Sequence, residues 1–343
     1  MIHLLFLLAS LGLVALGQKL ALLALPRLKG WAVRRCLQLL ALAMPMSVLI
    51  LFSLTMLPTT LTPQAAHFSD SLAHREWLLA LVGLGIVITP VVISLGLSIV
   101  RLAWLYGRAL RHTWEAPSGL EKLLETSKGR KLQIRLWYSN RCFAFNLPGL
   151  RPGAKALVIL SSEMVGQLTE TELQAVLWHE AAHLARRDFW VIWLAEWWRN
   201  AFFYLPLGWQ FFQLLKDEQE LACDDRVARS GGRGLMLALA DALLKVWEET
   251  STRRADHLSA KKVPEPGFNV AELASPEQVT LTEQRVNRLI EFVADPAAIE
   301  LRGCSWLKTG GLLSGSVGLW LVGLELMHLI MLPLGCAIAL GVV

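Results

Sequence analysis

Four stretches of this chain are long and apolar enough to cross the roughly 30 Å hydrocarbon core of a membrane as helices. They lie at residues 2–25, 36–57, 77–97 and within 312–343. The composition agrees, because 54% of the residues are hydrophobic and only 18% are charged, whereas about one quarter of a soluble domain is charged. The sequence therefore predicts an integral membrane protein that is mainly α-helical.

Basic residues in the connections between these stretches predict the orientation of the chain in the membrane. The first connection holds four basic residues and no acidic residue: Arg27, Lys29, Arg34 and Arg35. The second connection has Arg75 as its one Lys or Arg. We therefore predict a multi-pass protein of the inner (plasma) membrane, with its N-terminus outside and its largest polar region in the cytoplasm. No extracellular domain is expected after the fourth stretch.

The predicted domain organisation follows from this topology. Residues 1–112 would hold three transmembrane helices, residues 113–308 a cytoplasmic α+β domain, and residues 309–343 the fourth transmembrane helix. Two functional classes are disfavoured. The net charge of +5 does not arise from basic runs with interleaved aromatic residues, so no direct nucleic-acid binding is predicted. The five cysteines form no CxxC pair, which disfavours a disulfide framework and a cysteine zinc site.

Residue patterns within the cytoplasmic region predict a small sheet. Residues 131–139 and 142–146 are typical of two strands around a turn at 139–141, and residues 154–160 predict a third strand. A helix is predicted over residues 168–188, where Thr169 and Glu172 have the spacing of a capping box.

Helices follow in the second part of the region. Residues 189–232 predict two helices that Pro206 separates and that Gly231 and Gly232 end. Residues 251–275 predict a polar loop, and residues 281–293 a last short helix.

The motif HEAAH, from His179 to His183, carries the clearest chemistry. Positions four apart lie on one face of a helix, so His179 and His183 can both reach one metal ion, with Glu180 beside them. Zinc lowers the pKa of a bound water, and a glutamate in this position takes its proton as the water attacks a peptide carbonyl. A chance pattern on an ordinary helix is the alternative interpretation.

A catalytic zinc site needs a third protein ligand and one open position. The segment EQELACDD offers Glu220, and Asp224 follows four residues later on the same helix face. Asp224 suits the carboxylate that accepts the second ring N–H of a liganding histidine. Alternatively, Glu220 is a solvated member of an acidic run. Cys223 is a further candidate ligand, although a small buried residue is the simpler interpretation, and Asp188 is expected to steady the helix that carries the histidines.

Three segments resemble one known family: CFAFNLPG, LVILSSEMVGQLTETELQAVLWHEAAHLARRD and YLPLGWQFFQLLKDEQELACDDRVA. They are similar to the BlaR/MecR-type membrane zinc peptidases and, more distantly, to gluzincins of the HtpX and CAAX-prenyl-protease type. The resemblance implies a zincin-like cytoplasmic domain in which Zn²⁺ is held by His179, His183 and Glu220, with Glu180 as the base. BlaR/MecR sensors also carry an extracellular penicillin-binding domain after the fourth span, to which the resemblance does not extend.

Three functions are compatible with this sequence. The first is a zinc endopeptidase that cleaves a cytoplasmic or membrane-proximal protein, by resemblance a winged-helix transcriptional repressor. The second is quality control of membrane proteins by the same chemistry. The third is a non-proteolytic signalling protein with a structural zinc, which Glu180 disfavours because a structural site needs no base.

Two further features leave alternatives open. Six of the fourteen tryptophans fall between Trp178 and Trp209, which is typical either of a helix at the membrane interface or of a buried core helix. Glu325 and His328 lie in the fourth apolar stretch, where an ionisable group is a candidate for function unless it lies near the end of the span.

Overall fold

The computed structural model describes residues 2–28, 31, 33–45, 71–117, 119–120, 123, 132–150, 154–257 and 276–294. The chain forms two compact units. The first comprises Met1–Val100, Trp193–Leu215 and Cys304–Val343, and the second comprises Arg101–Ile192 and Lys216–Gly303. As predicted, the protein is mostly helical with one small sheet. The predicted domain boundaries at residues 112 and 308 stay predictions.

The first unit contains two long helices from the N-terminal part of the chain. Helix α1 covers Ile2–Ala24, in agreement with the first predicted span, and Gln18 donates a hydrogen bond of 2.9 Å to the carbonyl of Ala41, within the helical residues 33–45. Helix α2 covers Ser71–His112 and contains Pro90.

The structure supports the predicted membrane spans to different extents. Among the described residues, one helical segment is long and apolar enough to cross a membrane, Ile88–His112. It overlaps the third predicted span, residues 77–97. The second predicted span is described only as far as residue 45, and the fourth, with Glu325 and His328, lies outside the described residues. Four transmembrane helices therefore stay a prediction.

A four-stranded mixed sheet forms the base of the second unit. Its strands are β1 (Thr113–Glu115), β2 (Leu132–Trp137), β3 (Ala144–Leu147) and β4 (Ala156–Ser161). Their order is β1-β2-β4-β3, with β2 parallel and β3 antiparallel to β4. The predicted pairing of residues 131–139 with residues 142–146 around a turn is therefore wrong, because these segments form β2 and β3, which are not neighbours in the sheet. Strand β4 lies between them because its almost fully buried sequence ALVILS suits a central position with both faces covered.

Each face of the sheet packs against a different helix. On one face, Val158 and Leu160 of β4 pack with Val176 and Leu177, which lie on α4 (Glu170–Arg186). On the other face, Leu157 and Ile159 pack with residues near the end of α2, among them Tyr106 and Ala109. Because side chains alternate along a strand, only every second residue of the edge strand β3 lies on the face of the sheet that packs against α4.

Helix α4 begins as predicted. The Thr169 side chain accepts a hydrogen bond from the backbone N–H of Glu172, and the Glu172 side chain accepts one from the backbone N–H of Thr169. The helix ends where Arg187 adopts a left-handed conformation with φ of 58°. A short helix, α3 (Ser162–Gln167), precedes it.

Three helices complete the described chain: α5 (Asp188–Ala201), α6 (Pro206–His257) and α7 (Pro276–Ala294). The predicted division at Pro206 is confirmed. The predicted helix end at Gly231 and Gly232 is confirmed as a kink, because Gly232 has a non-helical backbone with φ of 70° and a second helical segment follows it within α6. Residues 251–257 are therefore helical rather than part of the predicted polar loop, whose remainder lies outside the described residues. The last predicted helix, residues 281–293, lies within the longer α7.

Candidate metal centre

The three predicted metal ligands lie together in the second unit. Nε2 of His179 and Nε2 of His183 are 3.1 Å apart, because the two residues are one helical turn apart on α4. Glu220 on α6 approaches both rings, with Oε2 3.3 Å from Nε2 of His179 and Oε1 3.4 Å from Nε2 of His183. These potential ligand atoms all lie within 4.8 Å of one another. Two imidazole nitrogens and one carboxylate are a donor set that catalytic zinc uses, so the residues fit the metal.

A carboxylate lies next to the other nitrogen of each histidine ring. Oδ2 of Asp188 is 3.0 Å from Nδ1 of His183 and within hydrogen-bond geometry. Oδ1 of Asp224 is 3.0 Å from Nδ1 of His179, a close ionic contact that lacks hydrogen-bond alignment. Such contacts fix the orientation of liganding rings. The predicted placement of Asp224 next to a histidine is thus observed, whereas Asp188 contacts His183 itself in addition to Arg186 at the end of the helix.

Arg285 is the main feature that the sequence did not predict. Its guanidinium donates two hydrogen bonds to Asp224, from Nε to Oδ2 at 2.8 Å and from Nη2 to Oδ1 at 2.9 Å. Nη1 is 3.0 Å from Oε2 of Glu220, and Nη2 is 3.4 Å from Nε2 of His179. Arg285 therefore links α7 to one predicted ligand and to the carboxylate beside another.

The protonation of the centre reflects these contacts. Burial alone would raise the pKa of Asp224, but Arg285 and His179 lower it to about 2. The pKa of Glu220 is likewise well below its ordinary value, because Arg285 and the two histidines outweigh its burial. Burial opposes protonation of His179, yet Asp224 and Glu220 raise its pKa. Both carboxylates are therefore ionised at neutral pH, as a metal ligand and its supporting group must be.

Glu180, the predicted base, is held from the edge of the sheet. Nδ2 of Asn146 donates a hydrogen bond of 2.6 Å to Oε2 of Glu180. Asn146 reaches α4 because it shares its side of β3 with Ala144, which packs into the cluster on that face of the sheet. Sequence reasoning missed this contact, because the only local signal is the pattern that predicts a strand at residues 142–146.

Cys223 occupies a buried position behind the histidines. Its thiol lies 3.5 Å from Oδ2 of Asp188, and His183, Asp188 and Cys223 form a second group of potential ligand atoms. Burial raises the pKa of Cys223 to about 11, so the sulfur is a neutral thiol at physiological pH. Cys223 is fully buried, as expected for a small buried residue.

The chain is similar to a family of known sequences and, weakly, to solved structures. No curated protein matches it significantly. The crystal structure of S. mikatae Ste24p is similar over 84% of this chain and 98% of that chain, with 12% identity and a TM-score of 0.35.

The model of the BlaR1 peptidase M56 family matches residues 40–263, which include all the residues of the centre except Arg285. This match covers more than half of the chain and confirms the predicted resemblance to BlaR/MecR-type membrane metallopeptidases. The chain belongs to the BlaR1 peptidase M56 family.

Proposed function

We propose that this membrane metallopeptidase is a zinc-dependent endopeptidase of the HExxH type that cleaves a cytoplasmic or membrane-proximal protein. The convergence of His179, His183 and Glu220 carries the proposal, because these residues would hold the metal while Glu180 lies beside them. The donor set leaves room for a fourth ligand, which distinguishes a catalytic zinc site from a closed structural one.

The reaction assigns a distinct task to Glu180. Bound zinc would supply a water of lowered pKa and polarise the peptide carbonyl. The Glu180 carboxylate accepts a proton from the water as the water oxygen bonds to the carbonyl carbon. The same proton then passes to the amide nitrogen as the C–N bond breaks, so the base is regenerated. The hydrogen bond from Asn146 holds one oxygen of Glu180 in place during both transfers.

Other residues orient the groups that hold the metal. Asp188 fixes the ring of His183, and Asp224 contacts the ring of His179. Arg285 holds Asp224 and Glu220 at the same time. The positive charge of a buried arginine opposes the binding of a metal cation. The planar guanidinium group of Arg285, however, keeps two carboxylates in position, and orienting contacts of this kind typically change metal affinity by about 10–100-fold.

The proposed biological role is regulated proteolysis of a cytoplasmic transcriptional repressor, possible only if the catalytic domain faces the cytoplasm. The basic residues of the first connection support that orientation. Topology reporters fused at Thr62 and Arg254 should lie outside and inside the cell, respectively. A reporter at Arg254 that is active only outside would contradict a cytoplasmic substrate.

The decisive experiment separates the base from the ligands. Glu180→Gln keeps nearly the same shape but cannot accept the proton, so proteolysis should fall by about 10²–10⁴-fold while about one zinc per chain stays bound. His183→Ala should lose most of the zinc. Glu170→Gln is the matched control, since it makes the same change at an exposed position of the same helix and should leave both properties unchanged.

Proteomics of cells that carry wild type or Glu180→Gln would identify the substrate. One repressor fragment that disappears in the variant supports regulated proteolysis, whereas loss of many membrane-protein fragments supports quality control. If Glu180→Gln cleaves as well as wild type and a zinc chelator has no effect, the centre is not a peptidase site.

A further inference from the structure

Residues Trp193–Leu215, here called the aromatic hairpin, form the end of α5, the turn at residues 202–205 and the start of α6. Nine of the 23 residues are aromatic, and only Glu196 and Arg199 are charged. We propose that the aromatic hairpin is a lipid-binding element that enters the membrane without crossing it. This inference does not depend on the peptidase chemistry.

The aromatic hairpin belongs to the unit that contains the predicted spans. It lies within the first unit although the chain on either side of it belongs to the second. Two of its tryptophans donate hydrogen bonds to backbone carbonyls of α2, from Nε1 of Trp193 to Ser98 at 3.5 Å and from Nε1 of Trp197 to Val91 at 3.3 Å. Both carbonyls lie in Ile88–His112, the segment able to cross a membrane. The hairpin is thus hydrogen-bonded to the segment that is long and apolar enough to cross a membrane.

The two charges of the aromatic hairpin neutralise each other. Nη2 of Arg199 is 3.6 Å from Oε1 of Glu196, and the guanidinium also donates to Oδ1 of Asn200 at 3.0 and 3.2 Å. Its carbon lies 4.6 Å from the ring centre of Trp209 and 4.4 Å from that of Phe212. An arginine with an acidic partner, an amide acceptor and two aromatic faces is compatible with a medium of low polarity.

Backbone N–H groups in the turn form hydrogen bonds within the protein, which the acyl chains of lipid cannot provide. Among the described contacts, the N–H of Phe202 donates to Trp198 at 3.0 Å, that of Leu205 to Phe202 at 2.9 Å and that of Gly208 to Leu205 at 3.1 Å. Unpaired backbone groups are excluded from the hydrocarbon region. The helix before the turn, α5, has 14 residues and rises only about 21 Å at about 1.5 Å per residue, so it is too short to cross about 30 Å.

The tip of the aromatic hairpin presents large aromatic side chains to its surroundings. Phe203 is 71% exposed, Trp209 50% and Tyr204 38%. Tyrosine and tryptophan concentrate at the boundary between headgroups and acyl chains, where an apolar ring and a polar atom are both accommodated. The exposed aromatic side chains at the tip are therefore better suited to contact with lipid than to contact with water.

Tyr138 provides a matched control for a test of lipid contact. It is also 71% exposed and aromatic, but it follows β2 in the second unit. An environment-sensitive fluorescent amino acid would replace either Phe203 or Tyr138 in the full-length protein, reconstituted into nanodiscs with or without lipids that carry a doxyl quencher high on the acyl chain. The probe at Phe203 should be quenched at least about threefold more than the probe at Tyr138, because only the former lies at acyl-chain depth.

Two results would overturn the proposal. Equal, weak doxyl quenching at both positions, with strong quenching of Phe203 by aqueous iodide, would place the hairpin in water. Shielding of Phe203 from both quenchers would mean that protein, rather than lipid, covers the tip. Preparations are compared only if their zinc content and thermal unfolding match wild type, and a probe at Trp209 replaces the one at Phe203 if that variant does not fold.

Discussion

Two salt bridges join α6 to α7 with nearly the same geometry but different surroundings. Asp224 and Arg285 are paired at 2.8 and 2.9 Å, and Asp225 and Arg288 at 2.7 and 2.9 Å. The first pair also contacts His179 and Glu220. In the second, the guanidinium of Arg288 lies 5.4 Å from the ring centre of Phe292. Both salt bridges therefore connect α7 to α6, but only the bridge between Asp224 and Arg285 also contacts residues of the metal centre.

Removal of the aspartates tests this comparison with the largest expected effect. Asp225→Ala removes the carboxylate paired with Arg288, and breaking a largely buried pair in this way typically costs about 3–5 kcal/mol. Asp224→Ala removes one of the two carboxylates at Arg285, which keeps its contact with Glu220, so its cost in stability should be no larger. Only Asp224→Ala should also lower zinc affinity, by about 10–100-fold. Thermal unfolding in detergent and zinc competition with a chelator measure the two effects, and equal losses of zinc affinity would remove the distinction between the pairs.

Substitution of each arginine by lysine tests the two salt bridges without removing the positive charge. Lysine keeps the positive charge but cannot form the two parallel hydrogen bonds of a guanidinium. Arg285→Lys should therefore lower zinc affinity by about tenfold through loss of orientation, while Arg288→Lys leaves it unchanged. The same chelator competition measures both variants.

A rise in zinc affinity in Arg285→Lys would contradict the orienting role. It would show that the guanidinium competes with the metal for Glu220 and His179 more than it supports them.

The comparison also explains which parts of the centre the sequence could predict. His179, Glu180 and His183 are fixed by the period of one helix, and the capping box of Thr169 and Glu172 spans three residues, so both could be predicted from local spacing. Arg285 lies 61 residues from Asp224, and its position depends on how α7 packs against α6. No local pattern encodes that packing.

The order of strands in the sheet is likewise not predicted by local sequence patterns. Strands β2, β3 and β4 are predicted from their own residues, whereas β1 is not. The predicted pairing of β2 with β3 is wrong, because the central position of β4 depends on burial on both faces. Asn146 reaches Glu180 across 34 residues as a consequence of that order. Contacts of the predicted base are therefore recovered only once the tertiary structure is known.

A third ion pair of the same unit extends the comparison to a partly exposed cation. Nζ of Lys245 is 2.8 Å from Oε1 of Glu172 and 2.8 Å from Oε2. The lysine side chain is 42% exposed, whereas that of Glu172 is 7% exposed. Burial would raise the pKa of Glu172, but hydrogen bonds from Lys245 and Thr169 lower it below its ordinary value of 4.5. Glu172 lies in the first turn of α4, whereas the liganding histidines lie further along that helix, so the effect of this pair should be on stability alone.

Lys245→Met should give the smallest effect and one that depends on pH. Because the lysine is solvent-exposed, we expect a loss of about 1 kcal/mol, or about 2–4 °C in the midpoint of thermal unfolding for a domain of this size. A carboxyl group with a lowered pKa in the folded state contributes stability that is present above its unfolded pKa, and that stability is lost as the pH falls through the folded pKa. The difference between wild type and Lys245→Met should therefore be complete at neutral pH and disappear as the pH falls through the lowered pKa of Glu172, with zinc affinity at neutral pH unchanged. A difference in unfolding midpoint that persists at low pH would mean that the methylene groups of Lys245, rather than its charge, stabilise the start of α4.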